Sequence, residues 1–377
     1  MKTILSEIKH LRNAEALNID YSNNNRYRVI INETDGSKTA YCFSAPIYNN
    51  RSRKAVSLKF RKTDHAFYAE GSNAKISISH EIRLENAEGA CKMRLKTIPQ
   101  SVSEQELICG KDRILQALNG VLYYAYLNEK SEFSFDFEVS SPHFKVRTNE
   151  KYFALMSAKF RPFVSISCLG ALNDAKEIIA PAKVTYKKLT DRKYKMIIAP
   201  HTFAATGVLF EINLYEPKLI QDTTVESLNP KRNNAFGSVA FIGETDAYGE
   251  QWLYLRPEFT NVIDLMNKNV FSVILHFPKF NKGNILISAY KATRRFCSFG
   301  SKWNNKVPAA EFMNELKEKD KYVHLDATKW LVKPWVNRLI AAAGFVLKPK
   351  TAEKEFSIIS TGDSYSFPVI MEIRYKN

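Results

Sequence analysis

The sequence predicts an all-β fold of two or three antiparallel β-sandwich domains in tandem, and three observations lead to this prediction. Apolar and polar residues alternate with a period of two along many short segments, which is the pattern of half-buried strands. Aromatic residues make up 12% of the chain, a composition that favours strands. In addition, 377 residues are enough to form more than one hydrophobic core.

The first 20 residues are predicted to form a short helix rather than an export signal. Ile4, Ile8 and Leu11 recur at helical spacing. Ser6 and Glu7 interrupt the apolar run that a secretory signal requires. No window of about 18 apolar residues occurs elsewhere, so the sequence predicts no membrane span. We therefore expect synthesis in the cytoplasm without a signal peptide.

Several segments have the pattern of strands joined by tight turns. Residues 25–48 contain two strand-like runs around Asp35-Gly36, and glycine supplies the positive φ of a hairpin turn. In FSFDFEV, residues 133–139, every second side chain is apolar. A second hairpin is predicted from Lys183–Lys188 to Tyr194–Ala199. Because few long helical patterns interrupt these strands, sandwiches are favoured over α/β layers.

The strand pattern predicts a domain boundary near residue 218, where a strong apolar strand ends at Pro217. The prediction is an N-terminal β-sandwich region at 1–218 and a second sandwich at 219–377. A change of pattern near 140–150 predicts that the first region divides into two subdomains.

The net charge of +16 indicates a general attraction to anionic surfaces, cell-wall polymers included. A nucleic-acid-binding protein usually concentrates its basic residues in a patch or an arm. Here they alternate with apolar and acidic residues, as in VSLKFRK and ACKMRLK, which is typical of solvated strand faces. The sequence therefore predicts no specific nucleic-acid partner.

The five cysteines are predicted to be reduced thiols in the hydrophobic cores. Their number is odd and none are spaced Cys-x-x-Cys, whereas zinc sites need closely spaced ligand pairs. Apolar or aromatic neighbours are typical of a small core residue. The five are Cys42, Cys91, Cys109, Cys168 and Cys297.

Motifs that identify an enzyme are missing, so we predict no catalytic activity, no cofactor and no metal site. The patterns G-x-S-x-G and H-E-x-x-H do not occur, and the seven histidines are scattered. The loops NETDGSK and LNDAKE offer oxygen ligands for a cation but lack the dense acidic spacing of a calcium loop. The nearest constellation is His324, Asp326 and Thr328. An Asp followed by a Thr commonly fixes the start of a helix, so we interpret it as structural.

Aromatic residues in the C-terminal half are the features that indicate carbohydrate binding, because sugar rings stack on exposed aromatic faces. Pro334 is expected to prevent one uninterrupted helix through the last two candidates. Aromatic residues in such positions also serve as core residues, and that alternative stays open. The candidates are Tyr290, Trp303, Trp330 and Trp335.

From residue 219 onward the sequence resembles the DNRLRE domain, a bacterial surface-associated module. DTTVESLNPKRNNAFG resembles its first strand and Asn-rich loop, EQWLYLRPEF its first long core strand, and VFSVILHF the next one. KWNNKVP, VHLDATKWLVKPW, GFVLKP and FPVIMEIRY follow in the same order. The resemblance covers about 219–377, and the N-terminal half resembles the β modules that precede such domains in wall-associated proteins.

The resemblance implies a jelly-roll β-sandwich used as a non-catalytic module. Such modules usually carry an export signal in a longer chain, and this sequence shows neither. We therefore expect a structural subunit that self-associates into a bacterial surface, spore, phage or filament assembly, made in the cytoplasm and ending in a surface-associated or lysis-released particle. Its expected partners are copies of itself or other structural subunits. The alternative is a carbohydrate-binding or adhesion module that recognises a cell-wall or surface glycan.

Overall fold

The structure is a computed structural model that describes residues 4–47, 60–70, 75–86, 89–117, 120–140, 144–156, 162–214, 220–257, 262, 264–265, 267–281, 287–336, 343–350 and 355–376. The strands in these residues are β1 (Arg28–Asn32), β2 (Lys38–Phe43), β3 (Arg61–Lys62), β4 (Phe67–Glu70), β5 (Lys75–Ile78), β6 (Glu81–Asn86), β7 (Gly89–Arg94), β8 (Gln100–Ser103), β9 (Glu106–Cys109), β10 (Asp112–Ala117), β11 (Gly120–Tyr126), β12 (Phe133–Val139), β13 (Lys145–Thr148), β14 (Tyr152–Met156), β15 (Pro162–Leu172), β16 (Ile178–Ala180), β17 (Ala182–Lys188), β18 (Lys193–Pro200), β19 (Gly207–Leu214), β20 (Ile220–Glu226), β21 (Val239–Thr245), β22 (Gly249–Pro257), β23 (Asn269–Pro278), β24 (Ile287–Ala292), β25 (Ala309–Glu315), β26 (Lys317–Lys319), β27 (Tyr322–Asp326), β28 (Phe345–Pro349), β29 (Phe356–Ser360) and β30 (Ile370–Lys376). The helices are α1 (Ile4–Arg12), α2 (Thr328–Val336) and a 3-10 turn at Trp303–Asn305.

The prediction of an all-β, multi-domain fold is confirmed. The strands form four antiparallel sheets. Contacts divide the chain into two units: unit 1 contains residues 56–216, and unit 2 contains residues 2–55 together with 217–377.

The division after residue 216 lies beside the predicted boundary at 218, but the structure differs for residues 2–55, which were predicted to belong to the region 1–218. They lie in unit 2 because β2 pairs along its whole length with β30, the last strand of the chain. Such pairing between distant segments leaves no signal in the local pattern of either strand.

Unit 1 is a sandwich of two sheets. One has the strand order β13-β14-β15-β19-β11-β10-β9-β8, with β16 beside β15, and the other has the order β17-β18-β12-β7-β6-β5-β4-β3. Apolar side chains from both sheets form one core between them. Aromatic rings fill its centre, where Tyr123 and Phe210 stack with centroids 4.8 Å apart.

The predicted division of the N-terminal region near 140–150 differs from this arrangement. Strands on both sides of that segment contribute to the same core: Phe137 of β12 contacts Phe153 of β14 edge to face, with centroids 4.5 Å apart. The change of pattern therefore marks a passage from one sheet to the other within a single sandwich.

Unit 2 is a second sandwich. One sheet has the order β1-β2-β30-β23-β27-β26, and the other has the order β25-β24-β28-β22-β21-β29, with β20 beside β22. A core of buried aliphatic and aromatic residues lies between the two sheets. The seven-stranded sheet also buries apolar residues on its opposite face, where Tyr254 and Phe296 belong to a smaller core.

The local strand predictions are confirmed. β1 and β2 form the expected hairpin, with Gly36 at φ 76° in its turn. In β12 the apolar positions are buried and alternate with more exposed ones. β17 and β18 form the second predicted hairpin, with Lys187 opposite Lys195.

The helices agree with the sequence in part. Ile4 and Ile8 are the buried residues of α1. The backbone N–H of Thr328 donates to Oδ1 of Asp326 at 3.0 Å, which confirms the structural interpretation of that pair at the start of α2. Pro334, however, was expected to interrupt the helix, and α2 continues through it to Val336.

Four of the five cysteines are buried free thiols, as predicted, whereas Cys297 is exposed. Burial raises the pKa of Cys42, Cys109 and Cys168 to about 12, so these thiols stay protonated and unreactive at neutral pH. Cys297 lies in a loop that follows β24. Its apolar neighbours in the sequence predicted a core position, but in this loop the side chain is exposed.

Candidate functional site

Four aromatic side chains converge on the outer face of the seven-stranded sheet of unit 2. The ring centroids of Trp252 and Trp303 are 5.2 Å apart, and those of Tyr290 and Phe312 are 5.8 Å apart. Three of the rings are half-buried, and Phe312 is 51% exposed. We name these four residues the aromatic cluster.

Two lysines link the rings of the aromatic cluster. The Nζ atom of Lys306 lies 3.8 Å from the centroid of Trp303 and 5.2 Å from that of Trp252. The Nζ atom of Lys348 lies 4.8 Å from the centroid of Trp252 and 4.2 Å from that of Tyr290. Cation–π attraction therefore connects the two aromatic pairs, with Trp252 between two ammonium groups.

The alternation of side chains along β22 explains why the ring of Trp252 points outward. Leu253 and Leu255 of β22 face the main core of unit 2, so Trp252 and Tyr254 face the opposite side. Tyr254 is buried there, and its hydroxyl donates to the carbonyl of Val307 at 2.6 Å. This hydrogen bond fixes the loop that covers the outer face of the sheet.

Asparagine side chains hold the part of that loop that carries Trp303. The Nδ2 group of Asn233 donates to the carbonyls of Ser298 and Ser301, at 2.6 and 2.8 Å. Asn305 bonds the backbone of its own loop at 2.7 and 3.1 Å. The Asn-rich stretch after β20 thus supports a second loop, and through it the position of Trp303.

The charges of the site are mixed. Burial lowers the pKa of Lys306, and the nearby Glu250 carboxylate opposes this effect. The indole N–H of Trp252 donates to Oε1 of Glu250 at 2.7 Å. Aromatic faces beside ammonium and carboxylate groups suit a ligand with flat apolar patches and many hydroxyls, which is the chemistry of a sugar ring.

The structure brings together two of the four predicted carbohydrate-binding residues, Tyr290 and Trp303. Trp330 lies on α2 and packs against the main core of unit 2, away from the outer face that carries the cluster. The side chain of Trp335 lies outside the described residues.

Sequence reasoning missed Trp252 and Phe312. Trp252 lies in EQWLYLRPEF, which looks like an ordinary core strand because it is apolar on both faces. The sequence signal for Trp252 was the apolar character of both faces of this strand. A strand with two apolar faces needs a cover on each face, and the second cover is the loop around Trp303.

A second group of polar residues lies on the outer face of the six-stranded sheet, beneath α1. The Nδ1 atoms of His276 and His324 are 2.6 Å apart, so one ring donates and the other accepts. The Nε2 group of His276 donates to Oε2 of Glu372 at 3.1 Å. Burial, then the neighbouring His276 and Lys319, lower the pKa of His324 to about 4. The histidines were expected to be scattered, and only the register of β23 with β27 reveals this pair.

Next to this pair is a polar cavity of about 240 Å³. It is lined by Leu11, Arg12, Glu33, Tyr41, Glu372 and Arg374. Its main charges already bind each other: both terminal nitrogens of Arg12 donate to Glu33 at 2.7 Å. We interpret the group as the attachment of α1 to the sheet.

Two further properties concern the described residues alone. They contain no group of three or more His, Cys, Asp or Glu side chains that could hold a metal ion, the described parts of the NETDGSK and LNDAKE loops included. None of their helices is both long and apolar enough to cross a membrane.

Comparisons with known proteins add no identification of the site. The chain matches no protein-family model and no curated protein sequence.

Proposed function

We propose that this chain is a non-catalytic carbohydrate-binding module and that the aromatic cluster of unit 2 is its binding surface. The observation that supports the proposal is the convergence of Trp252, Trp303, Tyr290 and Phe312, from three strands and one fixed loop, on one outer face. Partly exposed rings at fixed positions lose little conformational entropy when a ligand stacks on them.

The experiment is a glycan array with the full chain, followed by calorimetry on each glycan that is retained. Trp303→Ala and Lys306→Gln are the test variants, because the first removes a ring and the second removes a cation beside it. We expect Trp303→Ala to weaken binding at least about tenfold, which corresponds to about 1.4 kcal/mol.

Tyr21→Ala is the matched control, because Tyr21 is an aromatic residue of unit 2 that is 73% exposed and outside the cluster. It should bind like the unmodified chain. Circular dichroism shows whether each variant is folded. Unchanged glycan binding in a folded Trp303→Ala variant, or retention of no glycan by the unmodified chain, would contradict the proposal.

A second candidate function is that of a self-associating structural subunit of a bacterial surface, spore, phage or filament assembly. The observation that favours it is the outer edge of β25, which pairs with β24 on one side and with no described strand on the other. All seven of its residues are exposed or half-exposed, Phe312 included. An open edge of this kind is a template for a strand of another copy.

Light scattering and electron microscopy test this second function. We expect oligomers or ordered fibres that Ala310→Lys disrupts, because a lysine on an edge strand opposes pairing. Ala204→Lys, at an exposed position in unit 1, is the matched control. A strictly monomeric chain at high concentration would contradict self-association. From the sequence, self-association was the expected function and carbohydrate binding the alternative. We propose carbohydrate binding first because the aromatic cluster forms only in the folded chain.

A further inference from the structure

The hairpin of β17 and β18 in unit 1 has a concentration of positive charge. Residues 182–200 contain six basic side chains and one acidic side chain. Five of the six basic residues are lysines. This segment is the edge of the eight-stranded sheet.

Strand alternation places most of these charges on the outer face of that sheet. Val184 and Met196 are buried in the core of unit 1, so Lys187 and Lys195 point away from it. Lys193, two residues before Lys195, lies on the same outer face. We name Lys187, Lys193 and Lys195 the lysine face.

Two members of the lysine face oppose each other directly. Lys187 and Lys195 are Cα partners in the register of the hairpin. Residues in such pairs have Cβ atoms about 5 Å apart, and like charges at this distance repel. An anion bound at these two ammonium groups would offset their repulsion and so stabilise the sheet.

The neighbouring acidic residues compensate only part of this charge. Asp136 and Glu138 of β12 are the cross-strand partners of Lys195 and Lys193. Neither they nor other described carboxylates form an ion pair with the lysine face. The remaining lysines of the hairpin are engaged: Lys188 pairs with Asp191 at 2.7 Å, and Lys183 pairs with Glu150 at 3.4 Å.

We propose that the lysine face binds a linear polymer of closely spaced phosphate groups that lacks bases. Lysine acts as a point charge and binds phosphate without the fixed geometry that arginine imposes. The other outward residues of the two strands are Lys183, Thr185, Ile197 and Ala199, which offer no ring for a base to stack on. The ring of Tyr186 is instead packed against Tyr194 and Phe153, at 6.0 and 5.8 Å. The lysine face lies in unit 1, so it does not rest on the carbohydrate-binding proposal.

The experiment measures binding of the full chain to long-chain inorganic polyphosphate at several salt concentrations, with oligothymidylate and neutral dextran as comparison ligands. The test variant combines Lys187→Gln, Lys193→Gln and Lys195→Gln. We expect it to bind polyphosphate about tenfold or more weakly, and the slope of log affinity against log salt to decrease by about 2. The thermal midpoint should change little, because the substitutions remove one pair of like charges and two pairs of opposite charges across the strands.

The control variant combines Lys111→Gln, Lys130→Gln and Lys231→Gln, which removes the same charge from exposed positions elsewhere. It should keep most of the affinity. An equal loss in both variants would show attraction by net charge alone and overturn the proposal. Tighter binding of oligothymidylate than of polyphosphate, or no binding of polyphosphate, would overturn it as well.

Discussion

His324 is a single residue that makes the stability of unit 2 depend on pH. Burial and the neighbouring His276 hold its pKa at about 4, below the ordinary value of 6.5. Between these two pH values the unfolded chain binds a proton that the folded chain does not, so the folded state loses stability as pH falls from 6.5 to about 4. The ring is half-exposed, and after allowance for solvent screening we expect a loss on the order of 1 kcal/mol.

The substitution His324→Gln tests this dependence, because the amide still bonds His276 but does not titrate. We expect the urea midpoint of the variant to fall less between pH 7 and pH 5 than that of the unmodified chain. Tryptophan fluorescence is the measurement, since all four tryptophans lie in unit 2. His65→Gln, at an exposed position in unit 1, should leave the dependence unchanged. An identical fall in the His324→Gln variant would contradict the assignment.

Among the elements, β21 depends on a glycine where it passes β29. Gly243 has φ 133°, and a Cβ atom there would collide with the carbonyl oxygen of Glu355. We expect Gly243→Ala to lower the free energy of unfolding of unit 2 by about 1–3 kcal/mol, because the side chain adds strain and forces the two strands apart. Urea denaturation followed by tryptophan fluorescence measures this change.

Gly237→Ala is the control for that substitution. The φ of Gly237 is one that other residues adopt, and the nearest atom to a Cβ there is 3.7 Å away. Its effect should stay within about 1 kcal/mol in either direction. Equal effects of the two substitutions would mean that neither the positive φ nor the close approach of β29 matters.

Individual elements also show how far the sequence predicts this fold and its site. Alternation predicts β12 and the β17–β18 hairpin correctly, because both depend on residues close together in the chain. The pairing of β2 with β30 depends on register across the whole chain, and no local pattern encodes it. The same limit applies to the aromatic cluster: the sequence indicates Tyr290 and Trp303 as candidates, whereas Trp252 and Phe312 join them only once strands and a loop are assembled.

For the whole molecule, the insertion of unit 1 between two parts of unit 2 has a testable consequence. The segment 219–377 lacks β1 and β2. β30 would lose the partner with which it pairs over six residues, and the core would lose Ile30, Ala40 and Cys42. Burial of one large apolar side chain contributes about 1.5–3 kcal/mol, and the total stability of a domain is about 5–15 kcal/mol.

We therefore expect residues 217–377 alone to show no cooperative unfolding transition in tryptophan fluorescence. A chain that joins residues 1–55 to 217–377 through a flexible Gly/Ser linker should recover the transition, because it restores both missing strands. The same chain with Ala40→Asp and Ile30→Asp should lose it again, since a carboxylate in either position would be buried without a partner. The opposite result would be a cooperative transition of 217–377 alone at the denaturant midpoint of the full chain. It would show that the C-terminal segment folds by itself and that the strands of residues 2–55 add no stability to it.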